Sequence, residues 1–134
     1  MSLDTRKIIK SWVETADHSY ETAKFLLKGK RYPECLFFSH LMIEKVLKAL
    51  VVHRIKAHAP HTHKLVDLVR LAGVEISPEQ VDALTTITEF NIAGRYEGYK
   101  SDFYKKSTKI YAEKYFVISK KLYLWLKIQL SHKK

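Results

Sequence analysis

The chain has little of what interrupts or cross-links a helical bundle. It has a single cysteine, Cys35, so no intrachain disulfide can form, and a reducing, cytoplasmic setting is the natural expectation. Cys35 follows Pro33 and Glu34 beside apolar residues, where a small core residue fits better than a nucleophile. Only four glycines and three prolines are spread over 134 residues, which leaves long stretches free of breakers. No run of about 20 apolar residues occurs, so no membrane span is expected. The N-terminal stretch MSLDTRKIIK is charged and has no signal-peptide core. No segment alternates apolar and polar residues between turn signals, so no strand is expected either. Low-complexity tracts and repeats are absent.

Acids are scarce where cations are dense. The formal net charge is +10, and residues 100–134 hold ten lysines against Asp102 and Glu113, a net +8. Such a block suits an anionic partner: nucleic acid, nucleotide or an acidic protein. A solvated lysine-rich face is the other reading.

Hydrophobic residues make up 46% of the chain, and their spacing is helical. The stretch from Tyr32 to Arg54 has no breaker after Pro33. Leu36, Ile43, Leu47 and Leu50 share one side, Phe38, Met42, Val46 and Ala49 another, and only Glu44, Lys45 and Lys48 form a charged strip. A helix apolar most of the way round must be covered by other helices or a second subunit. Before it, a helix over about Thr5–Lys28 carries Ile8, Ile9, Trp12, Val13, Ala16, Tyr20, Ala23, Leu26 and Leu27, with Asp4 or Thr5 as cap and Gly29 as stop. The short turn to Pro33 forces an antiparallel return. Thr62 reads as the cap of a short helix from His63 to Leu71, ended by Gly73. Ser77-Pro78-Glu79-Gln80 opens a helix to about Asn91. Asn91 to Ser101 reads as a Gly-punctuated loop. A final helix runs from about Ser107 to Leu130, lined by Ile110, Val117 and Leu124 with Tyr111, Ile118 and Trp125 beside them. The expectation is one all-α domain over 1–134: an up-down bundle of about five helices, three long and two short. A homodimer, or a tight complex with another protein, is expected as well, because helix two's apolar breadth exceeds what one small bundle readily covers.

Four features carry possible chemistry. Asn91, Arg95, Tyr96, Tyr99 and Lys100 put amide, guanidinium and phenol groups in one connection, suited to phosphate and to base stacking. Alternatively, the tyrosines pack the connection down and Arg95 pairs with Glu44 or Glu89. Lys105, Lys109, Lys120 and Lys127 fall within roughly 60° on an ideal helix, an electrostatic footprint for phosphate or simply an outer face. His53, His58, His61 and His63 have the spacing of imidazole ligands, but no Cys and no acid before Asp67 completes a zinc set, so no metal is expected. Glu44, beside Lys45 and Lys48, reads as a buried partner for Arg95 or as an acid/base group.

These residues together form a pattern. Trp12, Ala16 and Ala23 lead to Leu26-Leu27 and Lys30-Arg31-Tyr32. The helix from Cys35 follows, carrying His40 and Glu44-Lys45-Val-Leu-Lys48-Ala-Leu50. Then come Thr62-His63-Lys64-Leu65 and, later, Arg95-Tyr96 before a long last helix. The chain resembles the small stand-alone HEPN-domain proteins (higher eukaryotes and prokaryotes nucleotide-binding domain) over almost its whole length. The resemblance implies a dimeric bundle of about five helices that works with nucleotides or RNA. It also implies a minimal nucleotidyltransferase as partner, often in a two-component toxin–antitoxin system, and no cofactor. Many members are metal-independent endoribonucleases with an Arg followed after four to six residues by a His. Here Arg95 is followed by no such His, and Arg54 with His61 has the bare spacing in the wrong place. Arg95, Tyr96, Tyr99, Lys100, Lys105 and Lys109 are therefore expected to bind nucleotide or anion, supported by Glu44, Lys45, His40 and Asn91. The alternative is a nuclease pairing Arg95 with Tyr99, His40 or Glu44 as acid/base.

Overall fold

The structure, a computed structural model, describes residues 3–95 and 97–131, with side chains for 4–91 and 101–131. The described residues form six helices: α1 (Leu3–Lys28), α2 (Tyr32–Ile55), α3 (Leu65–Ala72), α4 (Pro78–Arg95), α5 (Glu97–Lys106) and α6 (Lys109–Ser131). No strand occurs among them. The all-α expectation therefore holds, with one helix more than the five expected.

α2 is the axis of the bundle. α1 lies along it, and α3, α4 and α6 cover its other sides. From Cys35 to Val52 nearly every α2 residue is buried, including Leu36, Ile43, Leu47 and Leu50. Each such aliphatic side chain contributes about 1.5–3 kcal/mol when fully buried. Its own chain thus covers the apolar breadth of α2, and that breadth gives no reason for a second subunit. On α1 the residues facing inward are small: Ala16, Ser19 and Ala23 are fully buried. Their size lets the two long helices approach closely.

The α1–α2 turn works one residue later than glycine placement implies. Arg31 N–H donates to the Leu26 carbonyl and Lys30 N–H to that of Leu27, so Lys30 is the residue past the cap and takes φ 62°. Asp4 and Thr5 lie inside α1 and so do not cap it. α3 starts at Leu65, two residues after the expected His63, and its first N–H donates to Thr88 Oγ1 of α4 across 3.2 Å. Thr62 does not cap it. Gly73 does end it, at φ 69°. At α4 the expected box is complete: Ser77 N–H donates to Gln80 Oε1 at 2.8 Å and Gln80 N–H to Ser77 Oγ at 3.2 Å.

The expected loop from Asn91 to Ser101 is helical on either side of Tyr96, which lies outside the described residues. α4 runs through to Arg95, and α5 carries Gly98 inside it. A glycine inside a helix costs about 1 kcal/mol relative to alanine. Tertiary packing offsets that cost, because Phe90 of α4 and Phe103 of α5 meet at 5.9 Å in the core. α5 gives way to α6 at Ser107–Thr108, where Thr108 Oγ1 accepts from Tyr111 N–H at 3.2 Å and caps α6.

α6 also buries a different side from the one expected. Ala112, Phe116, Ser119, Tyr123 and Leu126 enter the core at spacings of four and three. Ile110, Val117 and Leu124 face outward. Both stripes repeat every seven residues. The small Ala112 and Ser119 belong to the buried one, which lets α6 approach α2.

Candidate functional site

Glu44 is the centre of a polar cluster inside the bundle. It is 5% exposed, and its Oε1 accepts from His63 Nδ1 at 2.8 Å. Its Oε2 lies 3.3 Å from Lys48 Nζ, and the fully buried His40 stands one turn before it, Nε2 to Oε1 3.8 Å. His40 Nε2 donates to the His63 carbonyl at 3.0 Å, so this nitrogen carries the proton. Lys48 Nζ sits 5.2 Å over the Trp12 ring of α1. Burial pushes the Glu44 carboxyl up, but the His63 hydrogen bond and the His40, Lys48 and His63 charges outweigh it, leaving the carboxyl below its ordinary value. Lys45 leaves the cluster to reach Ser19 Oγ on α1, 3.1 Å away, and burial there lowers its ammonium despite the attraction of Glu44.

The arrangement clamps three pieces of chain: α1 through Trp12, α2 through His40, Glu44 and Lys48, and the segment before α3 through His63. His63 is the only member with substantial access, its side chain 40% exposed. Its Nδ1 carries the proton that Glu44 Oε1 accepts. His40 and Glu44 themselves are enclosed by protein partners. The histidine cluster and the Thr62-His63-Lys64-Leu65 element both mark His63 in the sequence, and the structure supplies its partner, Glu44.

The expected anion ligands fall in two groups. Arg95 ends α4, while Tyr99 and Lys100 lie on the backbone of α5; Tyr96 and the side chains of all four lie outside the described residues, as does any Arg95–Glu44 pair. Asn91 is buried on α4, and its Nδ2 finds no acceptor among the described residues. Lys105 and Lys106 close α5, and Lys109 opens α6, so the structure brings these exposed cations to one corner. The single lysine stripe is broken at Ser107–Thr108. Lys127 turns toward α1 and meets Asp17 at 2.9 Å, and Lys120 lies 5.9 Å over the Tyr20 ring. Asp17 also accepts from Tyr123, whose hydroxyl is pushed up by burial and by that carboxylate. No sequence signal links these two, 106 residues apart.

A groove of about 490 Å³ runs beside the corner, with Leu27, Tyr32, Phe116 and Val117 on its floor and Lys28, Lys30 and Lys109 on its rim. One acid, Glu113, stands among them, 3.8 Å from Lys109. Cations around an aromatic and aliphatic floor can hold a phosphate-bearing ligand with an apolar or stacking portion. Among the described residues no three His, Cys, Asp or Glu side chains gather to hold a metal ion. Cys35 is buried against Ala23 and Phe116, and burial pushes its thiol up to about 11, against reactivity.

The comparisons agree with this fold. The crystal structure of TT1696 from Thermus thermophilus superposes with a TM-score of 0.73 at 21% identity, over 89% of this chain and 95% of that one. ST0689, an archaeal HEPN homologue, gives 0.70 at 20% identity, over 90% of this chain and 96% of that one. No curated protein matches the chain. The family model of the HEPN domain matches residues 9–129. The chain belongs to the HEPN-domain family, a nucleotide-binding and ribonuclease-associated family.

Proposed function

We propose that this HEPN chain is a nucleotide- or nucleic-acid-associated interaction module of the cytoplasm, a homodimer whose partner is a minimal nucleotidyltransferase in a two-component, toxin–antitoxin type system. Charge carries the proposal: ten lysines against two acids from residue 100 onward, on a frame whose family works with nucleotides. The basic corner of Lys105, Lys106 and Lys109 and the neighbouring groove suit phosphate, and the N-terminus of α6 adds its dipole there. Arg95, Tyr96, Tyr99 and Lys100 supply the fork and the stacking faces on the same stretch of chain. Glu44, Lys45 and His40 act from behind, by holding α2 in place.

The rival reading, a ribonuclease pairing Arg95 with His40, Glu44 or Tyr99, has less support. His40 and Glu44 are enclosed and bonded to protein, and no His follows Arg95 within six residues. The test of the proposal is calorimetric titration with ATP and with a short single-stranded RNA at two salt concentrations. Binding should weaken as salt rises, and Lys105→Glu/Lys109→Glu should weaken it by about tenfold or more. Binding of both ligands unchanged in that variant would place the site elsewhere, and no binding of either would remove the nucleotide reading.

A further inference from the structure

The outward face of α6 is built for a protein partner. Ile110, Val117, Leu124 and Ile128 are 82, 47, 45 and 52% exposed. Spaced by seven, seven and four, they fall within about 40° on a helix of 3.6 residues per turn, and they extend over about 27 Å. Lysines border this row on both sides: Lys109 and Lys120 on one, Lys114 and Lys121 on the other, all exposed. Beyond Lys121 lies an apolar groove of about 460 Å³ floored by Ala83, Leu122 and Trp125.

An aliphatic ridge one side chain wide at heptad spacing is the seam of a helix pair, with lysines where flanking charges select the partner. It suits a membrane poorly, because helices that lie on lipid present a broad apolar face and the opposite side of α6 is committed to the core. It suits RNA poorly, because aliphatic side chains offer no stacking face and no charge. A second copy would set lysine against lysine, since Glu113 is the single acid on α6 and already lies beside Lys109. We infer that this row is the docking site for an amphipathic helix of about five turns, carried by a second protein, with an apolar seam flanked by Asp or Glu. The inference rests on the reading of the chain as an interaction module and supplies the chemistry of its partner.

The test is fluorescence anisotropy with a labelled helical peptide of about three heptads, Leu at its seam and Glu at its flanks, added to the full chain. A control peptide keeps the charges and replaces the seam Leu with Gln. The wild type should bind the first peptide at least about tenfold more tightly than the control. Val117→Asp/Leu124→Asp should abolish that preference, and Lys114→Glu/Lys121→Glu should transfer it to a Lys-flanked peptide. Both pairs are exposed, and unchanged circular dichroism melting would verify their folding. Equal binding of the two peptides would overturn the inference. So would a wild-type dimer that dissociates in Val117→Asp/Leu124→Asp, or tighter binding to phosphatidylserine vesicles than to the peptide. Arg95→Ala leaves this face intact: RNA binding lost there with peptide binding kept supports the docking site on its own, whereas a wild type that binds RNA but shows no preference for the Leu-seam peptide refutes the docking site and leaves the nucleotide reading standing.

Discussion

A carboxylate held inside the bundle is destabilising unless its neighbours satisfy it. Glu44 has His63 on one oxygen and Lys48 on the other, and Lys48 is itself buried. Removing the carboxylate by Glu44→Ala strands the buried ammonium, so urea denaturation should show a loss of about 3–5 kcal/mol. The pH dependence follows from the depressed carboxyl. Its contribution is present in full above the ordinary carboxylate value of 4.5 and is lost as pH falls through the lower folded value. Stability measured on acidification should therefore drop more steeply for the wild type than for Glu44→Gln. The sequence marks Glu44 as a buried partner for Arg95 or as an acid/base group; the structure buries it among His40, Lys48 and His63, and the Arg95 side chain lies outside the described residues. The described partners of Glu44 are His40 and Lys48, which the pitch of α2 places one turn to either side, and His63, 19 residues away, which the path of the 56–64 segment brings in. Cys35 and the Ser77–Gln80 box were legible outright, because their physics is local.

Elements show where local signals compete. Gly29 reads as the α1 stop, yet Lys30 holds the left-handed turn at φ 62°. Lys30→Gly should thus stabilise the fold by roughly 0.5–1 kcal/mol, measured by thermal melting, as relief of the left-handed strain exceeds the entropy cost of glycine. Thr108 caps α6 where α5 stops, and Thr108→Ala should cost about 1 kcal/mol by the same measurement. The stretch from Asn91 to Ser101 misleads in the other direction, since its turn signals yield to the packing of Phe90 on Phe103. On α6 two heptad stripes compete for the core, and hydrophobicity alone cannot rank them. Size ranks them, because Ala112 and Ser119 admit the close approach that Ile110 and Val117 would block.

At the scale of the molecule, the low Gly, Pro and Cys content and the helical periodicity were enough for an all-α bundle around the chain's second helix. The family pattern in Glu44-Lys45, Lys48 and Thr62-His63 pointed to the same frame. Among the described residues no helix is long and apolar enough to cross a membrane. The net charge of +10 sits unevenly on this frame, and α6 joins cations to an exposed apolar row. The site was less legible than the fold, because it depends on which lysines the chain neutralises: Lys127 against Asp17 and Lys109 beside Glu113. The central proposal is that this charge binds nucleic acid without cutting it. The most direct test incubates the protein and its Arg95→Ala variant with labelled RNA in EDTA, then runs native and denaturing gels on the same samples. The account predicts RNA that is retarded yet intact, with weaker retardation by the variant. RNA that runs free, or RNA cleaved by the wild type and spared by Arg95→Ala, would contradict it.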